Sequence, residues 1–158
     1  MHPSSLHNMR LFIESLPEKG KALDVGSRDI NGTYRDLFKG WDYTGIDVVP
    51  GKNVDMVVGD EWSFDDESFD AVVSGQALEH IKDDAGVVLE MARVLKSGGH
   101  ICLIAPSTGA EHMEPDYRRY TEQSLGQLIE DAGLILIETR IDADSPIWHD
   151  VIAIGVKA

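Results

Sequence analysis

The stretch "ALDVGSRDINGTYRDLF", residues 22–38, decides the fold of this chain. It opens with a short apolar run, continues through an acid and Gly26, and ends in a helix-like segment. A buried strand followed by a tight turn and a helix is typical of nucleotide-binding α/β folds, whose ligands lie at the carboxyl ends of parallel strands. We therefore expect a ligand at the turn that follows this first strand.

The turn itself argues against a dinucleotide. A pyrophosphate site uses G-x-G-x-x-G, because the backbone must approach the phosphates closely at a helix N-terminus. In "DVGSRDING", Arg28 and Asn31 stand in place of the second and third glycines. Three acids that would repel phosphate charge also flank the turn: Asp24, Asp29 and Asp47. A nicotinamide-dependent oxidoreductase is therefore the less favoured interpretation.

One of these acids suits a nucleoside. Asp47 lies 21 positions after Gly26, close to the ~20 expected of a carboxylate that binds ribose hydroxyls. The sequence therefore predicts a nucleoside without phosphates, with a cationic or zwitterionic tail tolerated near Asp24.

Short apolar runs alternate with helix-like segments along the rest of the chain. The predicted strands are 21–25, 42–48, 54–58, 70–75, 100–106, 134–139 and 151–156, and the predicted helices start within 31–38 or cover 84–99 and 121–133. This alternation predicts an α/β, Rossmann-like three-layer sandwich around a seven-stranded, mostly parallel sheet. Because only "RIDADSPIWHD" separates the last two strands, we expect an antiparallel hairpin there, with the last strand antiparallel.

One connection in this scheme is short. Only "VPGKN", residues 49–53, joins the second and third predicted strands, whereas a crossover with a helix needs about a dozen residues or more. Either that helix is absent or a strand prediction is wrong at this point.

Composition and charge narrow the class of protein. A length of 158 residues suits a single domain, 1–158, without a separate substrate domain. No apolar run approaches the ~20 residues of a membrane helix, the N-terminus lacks a signal-peptide pattern, and the lone Cys102 excludes an internal disulfide. We therefore expect a cytoplasmic protein.

The net charge of −14 bears on partners. A surface this acidic repels phosphate backbones and anionic lipid, so we expect neither nucleic acid nor a membrane as partner. The basic pair Arg118-Arg119 is the local exception.

Four segments, in this order, carry a family resemblance. They are "LDVGSRDING" (23–32), "FDDESFDAVVSGQALEHIKD" (64–83), "EMARVLKSGGHICLIAP" (90–106) and "PDYRRYTEQSLGQLIEDAGL" (115–134). Together they make the chain resemble a class I S-adenosylmethionine-dependent methyltransferase of the small-molecule type (methyltransferase type 11-like), from about Lys21 to the end. The resemblance implies methyl transfer from S-adenosylmethionine, with S-adenosylhomocysteine as product, to a small-molecule or glycan-type acceptor. The alternative is a non-catalytic subunit that binds the same nucleosides.

The resemblance implies roles for the residues around the first turn. Asp24 and Gly26 would frame the methionyl part of the cofactor, with the backbone near Gly26 and Ser27 touching it. Gly75 and Gln76, at the end of the fourth strand, would lie beside the methionyl and sulfonium region.

The same resemblance assigns the adenosine part to the second and third strands. Asp47 would accept both ribose hydroxyls, and Val48 would pack on the adenine. Asp60 would take the exocyclic amine, and the Glu61 backbone would serve a ring nitrogen. Trp62 either caps the adenine pocket or occupies a plain core position.

Arg28 departs from the family's pattern, with Ile30 close by. Because a guanidinium fork suits a carboxylate, we hypothesise that Arg28 pairs with the carboxylate of the cofactor. The alternative is a surface arginine that bridges Asp29 or Asp24.

Two histidines are candidate general bases, because an oxygen or nitrogen acceptor gains from proton removal near neutral pH. His80 follows the fourth strand and is either a base or a structural residue. His112 lies in the polar loop after the fifth strand and is a candidate base or substrate contact. For His149 we favour a structural or surface role. No cluster of cysteines or histidines with zinc-ligand spacing appears in the sequence, so no metal is expected.

The segment 117–120 supplies the candidate substrate contacts. Tyr117, Arg118, Arg119 and Tyr120 alternate aromatic and cationic groups, which suits a sugar ring or an acidic acceptor; alternatively, the tyrosines pack on the core. Outside the core only 1–16 and 107–120 remain to build a lid. That leaves a small open site, a lid supplied by a second copy or a partner subunit, or a large substrate that is its own lid.

Overall fold

The computed structural model describes residues 2–143 and 146–158. Within these ranges seven strands form one mixed sheet in the order β3-β2-β1-β4-β5-β7-β6. The strands are β1 (Lys21–Val25), β2 (Asp42–Asp47), β3 (Met56–Val57), β4 (Phe69–Gly75), β5 (Leu95–Pro106), β6 (Ile135–Asp142) and β7 (Asp150–Val156). Strands β1 to β5 are parallel, and β7 is antiparallel to both β5 and β6. The predicted Rossmann-like sheet and its antiparallel last strand are confirmed; two residues of the predicted connection, 144–145, lie outside the described ranges.

Helices cover both faces of the sheet. On one face lies α1 (Pro3–Ser15), whose Met9 and Phe12 pack with Tyr34 and Phe38 in one apolar cluster. The other face carries α2 (Asp84–Val94) and α3 (Glu122–Asp131), with Val88, Met91, Leu125 and Ile129 in a second cluster. Because the helices cover both faces, a ligand can reach the sheet at the carboxyl ends of β1 and β4.

The predicted helix start at 31–38 is wrong. The segment forms only a 3₁₀ turn, Arg35–Leu37. Gly32 and Gly40 have φ values of 128° and 85°, which a right-handed helix does not accommodate. The segment between these two glycines is long enough only for a short turn. The buried side chains of Tyr34 and Phe38 hold that turn in place.

Of the two alternatives for the short connection, the absent helix is the correct one. Residues 48–55 contain no helix, and β3 shrinks to two residues. Since β3 pairs only with the end of β2, Met56 with Ile46 and Val57 with Asp47, the chain need not return along a full strand.

The boundary between α2 and β5 also differs from the prediction. The helix ends at Val94, and the glycine pair lies inside β5. The pairing of β4 with β5 shifts register between Phe69 and Ala71, so the residues around Gly98, which has φ 76°, form an irregularity in the strand.

Across the described ranges, none of the helices combines the length and the apolar character that crossing a bilayer requires.

Candidate active site

A cavity of about 320 Å³ opens at the carboxyl ends of β1 and β4. Its walls come from the turn after β1, the loop after β4 and the loop after β5. Eight of the residues singled out from the sequence line it: Asp24, Gly26, Ser27, Arg28, Gly75, Gln76, His80 and His112. The cavity therefore joins the predicted methionyl region to both candidate bases.

Gly26 shapes the floor of this cavity. Its φ of 77° is a left-handed conformation, and a Cβ atom here would collide with the side chain of Ala77 in the loop after β4. The N–H groups of Gly26 and Ser27 both donate to the Ile46 carbonyl of β2, at 2.9 and 3.0 Å. The turn is thus hydrogen-bonded to β2 and packed against the loop after β4, and only glycine fits at position 26.

Asp24 is a buried acid at the end of β1. Its side chain is 2% exposed, and the Tyr43 hydroxyl donates a hydrogen bond to its Oδ2. Burial raises the pKa of Asp24 to about 7, because a charged carboxylate loses its hydration there, and the hydrogen bond from Tyr43 only partly offsets this. A cationic group in the cavity would therefore be favoured beside it.

Arg28 belongs to a contact between two loops. Its aliphatic stem lies against Gly51, where an added Cβ would come within 2.8 Å of its Cγ and Cδ. The neighbouring Asp29 pairs with Lys52 at 2.7 Å. Since Asp29 is bound to Lys52 and Asp24 to Tyr43, neither acid forms an ion pair with Arg28 in the described parts of the chain.

Tyr34 lines the cavity beside Gly75, and the sequence analysis did not identify it as a site residue. Tyr34 is almost fully buried beneath the cavity, and its hydroxyl forms a hydrogen bond with Ser5 of α1. Any side chain at Gly75 would occupy the position of the Tyr34 ring. The glycine at the end of β4 was the available sequence signal for this close approach.

The side chain of Gln76 is held in place by Asp150, a buried acid that the sequence analysis did not identify. Its Nε2 donates to Oδ1 of the fully buried Asp150, at 2.8 Å, and Asp150 also accepts from Ser4 and Trp148. With that end fixed, Gln76 Oε1 is buried without a hydrogen-bond partner among the described residues.

The predicted adenosine residues lie outside the cavity lining. Asp47, at the end of β2, accepts from the N–H groups of Arg28 and Val49 at 3.2 and 3.1 Å. Val48 is 70% exposed, and Asp60 and Glu61 are exposed in the loop after β3. These side chains line an open surface rather than an enclosed pocket.

Trp62 occupies the core. Its side chain is 8% exposed within the apolar cluster under α2 and α3, and its carbonyl accepts from Arg93. This position fits the plain core alternative for Trp62.

Arg118 and Tyr120 contact the first residue of α2. Both engage Asp84: Arg118 Nη1 lies 2.6 Å from Oδ1, and the buried Tyr120 hydroxyl donates to Oδ2 at 2.7 Å. Neither lines the cavity, so the arrangement fits the packing alternative. Tyr117 is half-exposed, and its N–H donates to the Glu79 carbonyl.

His80 and His112 meet at the rim of the cavity. Their ring centroids are 5.0 Å apart in an edge-to-face arrangement. His80 Nδ1 lies 2.6 Å from the Pro115 carbonyl oxygen, and His112 Nδ1 lies 3.3 Å from Asp116 Oδ2. Partial loss of hydration and the neighbouring His80 lower the pKa of His112.

His149 forms its hydrogen bonds through its backbone groups. Its carbonyl accepts from the N–H of Ser107, and its own N–H donates to Thr108 Oγ1. These contacts fit the structural role favoured for it.

Comparison with known proteins gives one family. A family model described as "Methyltransferase domain" matches residues 23–103, slightly more than half of the chain. The demethylmenaquinone methyltransferase of Roseiflexus castenholzii is 31% identical over 105 residues, which cover 56% of this chain and 43% of that protein. The match thus spans less than half the length of this curated relative.

Two solved structures have the same fold. The Burkholderia thailandensis 1,6-didemethyltoxoflavin-N1-methyltransferase, with 1,6-didemethyltoxoflavin and S-adenosylhomocysteine bound, superposes with a TM-score of 0.77 at 14% identity, covering 99% of this chain and 77% of that one. A chain from the complex between the Haloferax volcanii Trm112 methyltransferase activator and the putative methyltransferase gives 0.71 at 20% identity, covering 97% and 90%.

Proposed function

The chain belongs to the family of class I S-adenosylmethionine-dependent methyltransferase domains, and on that premise we propose that it transfers a methyl group from S-adenosylmethionine to a small-molecule acceptor. The observation that carries this proposal is the continuity of one cavity from the turn after β1 to the two rim histidines. A site for a methyl donor and a site for an acceptor have to share such a space, because the reacting atoms must meet in line.

The residues around the cavity fit the methionyl part of the cofactor. The buried Asp24 suits its ammonium group, and Arg28 suits its carboxylate. Gln76 Oε1, buried and without a partner among the described residues, is an acceptor for the same ammonium group. Asp47, Val48, Asp60 and Glu61 are assigned to ribose and adenine by the family resemblance.

The chain's own contribution to catalysis is placement and proton removal. When bound, S-adenosylmethionine supplies a methyl group already activated by the sulfonium. The rim side chains would orient the acceptor, and a histidine there, neutral near pH 7, is suited to remove a proton from it. Of the two, His112 is the better candidate because it is exposed and its pKa is lowered, so it is largely free of a proton before the acceptor arrives.

The acceptor class rests on the relatives and on the shape of the rim. The names of the Roseiflexus and Burkholderia proteins specify small-molecule acceptors. The loop 107–120 reaches the cavity with His112 and Met113, and α1, which was considered for a lid, instead packs Met9 and Phe12 into the core. A small open site is therefore the arrangement that we propose. The alternative is a lid supplied by a partner subunit, because the similar Haloferax methyltransferase forms a complex with an activator.

Two measurements in sequence test the proposed function. Calorimetry with S-adenosylmethionine, S-adenosylhomocysteine and NAD should give binding of the first two at one site and none of NAD. Radiolabelled methyl transfer across small-molecule acceptors should then give a product. Binding without transfer to any acceptor would favour the non-catalytic subunit, and tight binding of NAD alone would contradict the proposal.

A further inference from the structure

Three side chains with metal-binding atoms converge at the rim of the cavity. Glu79 and His80 belong to the 3₁₀ turn that follows β4, and His112 comes from the loop after β5. One ligand atom from each lies within 4.8 Å of the others. Sequence spacing did not reveal this group, because His112 is more than thirty positions away from the other two.

Glu79 is a buried carboxylate that has no arginine or lysine paired with it among the described residues. Its side chain is 0% exposed, and neither carboxylate oxygen has a hydrogen bond to another described residue. The nearby Arg119 directs its N–H groups to Asp116 and to backbone carbonyls in the same loop. Since an uncompensated buried charge is costly, this acid requires a proton or a cation.

His80 presents a lone pair to the same acid. Its Nδ1 lies 2.6 Å from the Pro115 carbonyl oxygen, which can only accept, so Nδ1 carries the proton. In the neutral form of His80, Nε2 then carries the lone pair, and it is buried without a hydrogen-bond partner among the described residues, 3.6 Å from Glu79 Oε1. A histidine whose second nitrogen donates to a backbone carbonyl is the usual arrangement of a metal ligand.

His112 has a similar support. Its Nδ1 lies 3.3 Å from Asp116 Oδ2, an acid that is itself fixed by Arg119 and by the His112 backbone N–H. Carboxylate support of a histidine on the side away from the metal is common at catalytic zinc sites.

We propose that Glu79, His80 and His112 bind a divalent transition-metal cation of the zinc class. Two imidazoles and one carboxylate match catalytic zinc sites, which leave further coordination positions open. Magnesium and calcium prefer oxygen ligands throughout and suit this set poorly. This proposal revises the expectation of no metal that followed from sequence spacing.

The distance between two of the three ligand atoms is close to that of a metal site. With bonds of about 2.0–2.1 Å, ligand atoms in a tetrahedral site are about 3.4 Å apart. The 3.6 Å between Glu79 Oε1 and His80 Nε2 is close to this value. The ligand atoms of all three residues lie within 4.8 Å of one another, so the exposed side chain of His112 has to move closer when a cation binds.

The proposed metal site also indicates which class of acceptor is methylated, and this inference rests on the proposed function. Because His80 and His112 line the same cavity as the methionyl residues, an open coordination position there would bind an acceptor hydroxyl. In this arrangement His112 is a ligand of the cation, which replaces its role as a free base. The cation acidifies the acceptor hydroxyl, and the proton of that hydroxyl leaves to solvent. The oxygen then bonds to the methyl carbon while the carbon–sulfur bond breaks, its electron pair passing to sulfur and giving the neutral thioether. The predicted chemistry is O-methylation of a small hydroxyl compound.

Direct metal binding tests the site without cofactor or acceptor. Chelator-treated protein without an affinity tag is titrated with Co²⁺, followed by visible absorption, and with Zn²⁺ in a calorimeter. We expect one equivalent of each, with Co²⁺ bands of a four- or five-coordinate site. Changing a direct ligand in His112→Ala or Glu79→Gln should weaken binding by about 100-fold or more, beyond the 10–100-fold typical of outer-shell changes.

Matched variants keep the test decisive. His7→Ala removes an exposed histidine of α1 that is remote from the cavity lining, and it should bind both metals like the wild type. Glu79→Gln removes a buried charge, so it should fold at least as stably as the parent. Equal metal binding by wild type and His112→Ala, or no binding by the wild type, would overturn the site.

The two proposals fail separately. Metal binding with no affinity for S-adenosylmethionine would remove the proposed function and leave the metal site intact. Transfer that survives complete metal removal would overturn the role of the cation in O-methylation.

Discussion

At the scale of single residues, the chemistry of the cavity depends on how Asp24 and Arg28 differ in their surroundings. Both residues line the cavity, but Asp24 is buried and hydrogen-bonded to Tyr43, whereas the stem of Arg28 lies against Gly51. A zwitterionic ligand end suits this pair, with its ammonium toward the acid and its carboxylate toward the guanidinium.

We predict that Arg28→Ala weakens S-adenosylmethionine binding by about 10- to 100-fold, since a hydrogen-bonded charge contributes about 1.5–3 kcal/mol. Arg28→Lys should fall between the two, because it keeps the charge and loses the fork. Calorimetry measures both, with Arg10→Ala on the exposed surface of α1 as the control. An affinity unchanged in Arg28→Ala would remove the contact.

We predict that Asp24 makes folding pH-dependent. Its pKa is raised from 3.8 to about 7 by burial, so the neutral acid is favoured in the folded state, and the stability this group contributes is complete below pH ~4 and lost as the pH rises to about 7. Relative to Asp24→Asn, the wild type should lose up to about 4 kcal/mol of unfolding free energy across that window.

Urea unfolding at pH 4.5, 6 and 8 checks this for the two proteins without ligand. The difference between them should grow with pH and level off near neutrality. Parallel pH profiles would mean that Asp24 is charged at all three values.

From the apolar pattern alone, only those residues of the candidate site that directly follow a predicted strand could be located. Asp24 and Gly26 were predicted as site residues because the end of a parallel strand is readable from its apolar run, whereas Gln76 was predicted only from the family resemblance. Tyr34, Asp150 and Glu79 were missed because their contacts are with Ser5, Gln76 and the loop after β5, which are remote in sequence.

At the scale of elements, α1 is a structural helix that the sequence analysis did not identify. Its signals were Pro3 in the first turn and apolar residues at helical spacing: Leu6, Met9, Phe12 and Ile13. The opposite error occurred at 31–38, where apolar residues at helical spacing exist but two glycines with positive φ confine them to one turn.

We predict that Phe12→Ala lowers the free energy of unfolding by about 3–5 kcal/mol, as expected for loss of a buried aromatic side chain. Phe12 is 2% exposed and packs in the cluster that contains Tyr34 and Phe38. Leu11→Ala, at a position 45% exposed on the same helix, should change it by no more than about 0.5 kcal/mol. Equal effects in urea unfolding would show that α1 does not pack as described.

At the scale of the whole molecule, the fold class could be predicted, but the strand order could not. Alternating apolar runs and helices specify a covered parallel sheet, and the short last connection specifies the antiparallel strand. The order β3-β2-β1-β4-β5-β7-β6 depends on which edges meet in space, and the local pattern carries no such information. This order sets β1 beside β4, and it thereby brings Gly26, Gln76 and the rim histidines around one cavity.

The central claim is that this carboxyl edge binds a phosphate-free adenosine derivative. A crystal structure with S-adenosylhomocysteine tests it most directly. We predict ribose hydroxyls on Asp47, the adenine amine on Asp60, and the amino-acid end between Asp24 and Arg28. Density for the ligand at another site, or Asp47 and Asp60 directed away from a shared ligand, would contradict the account.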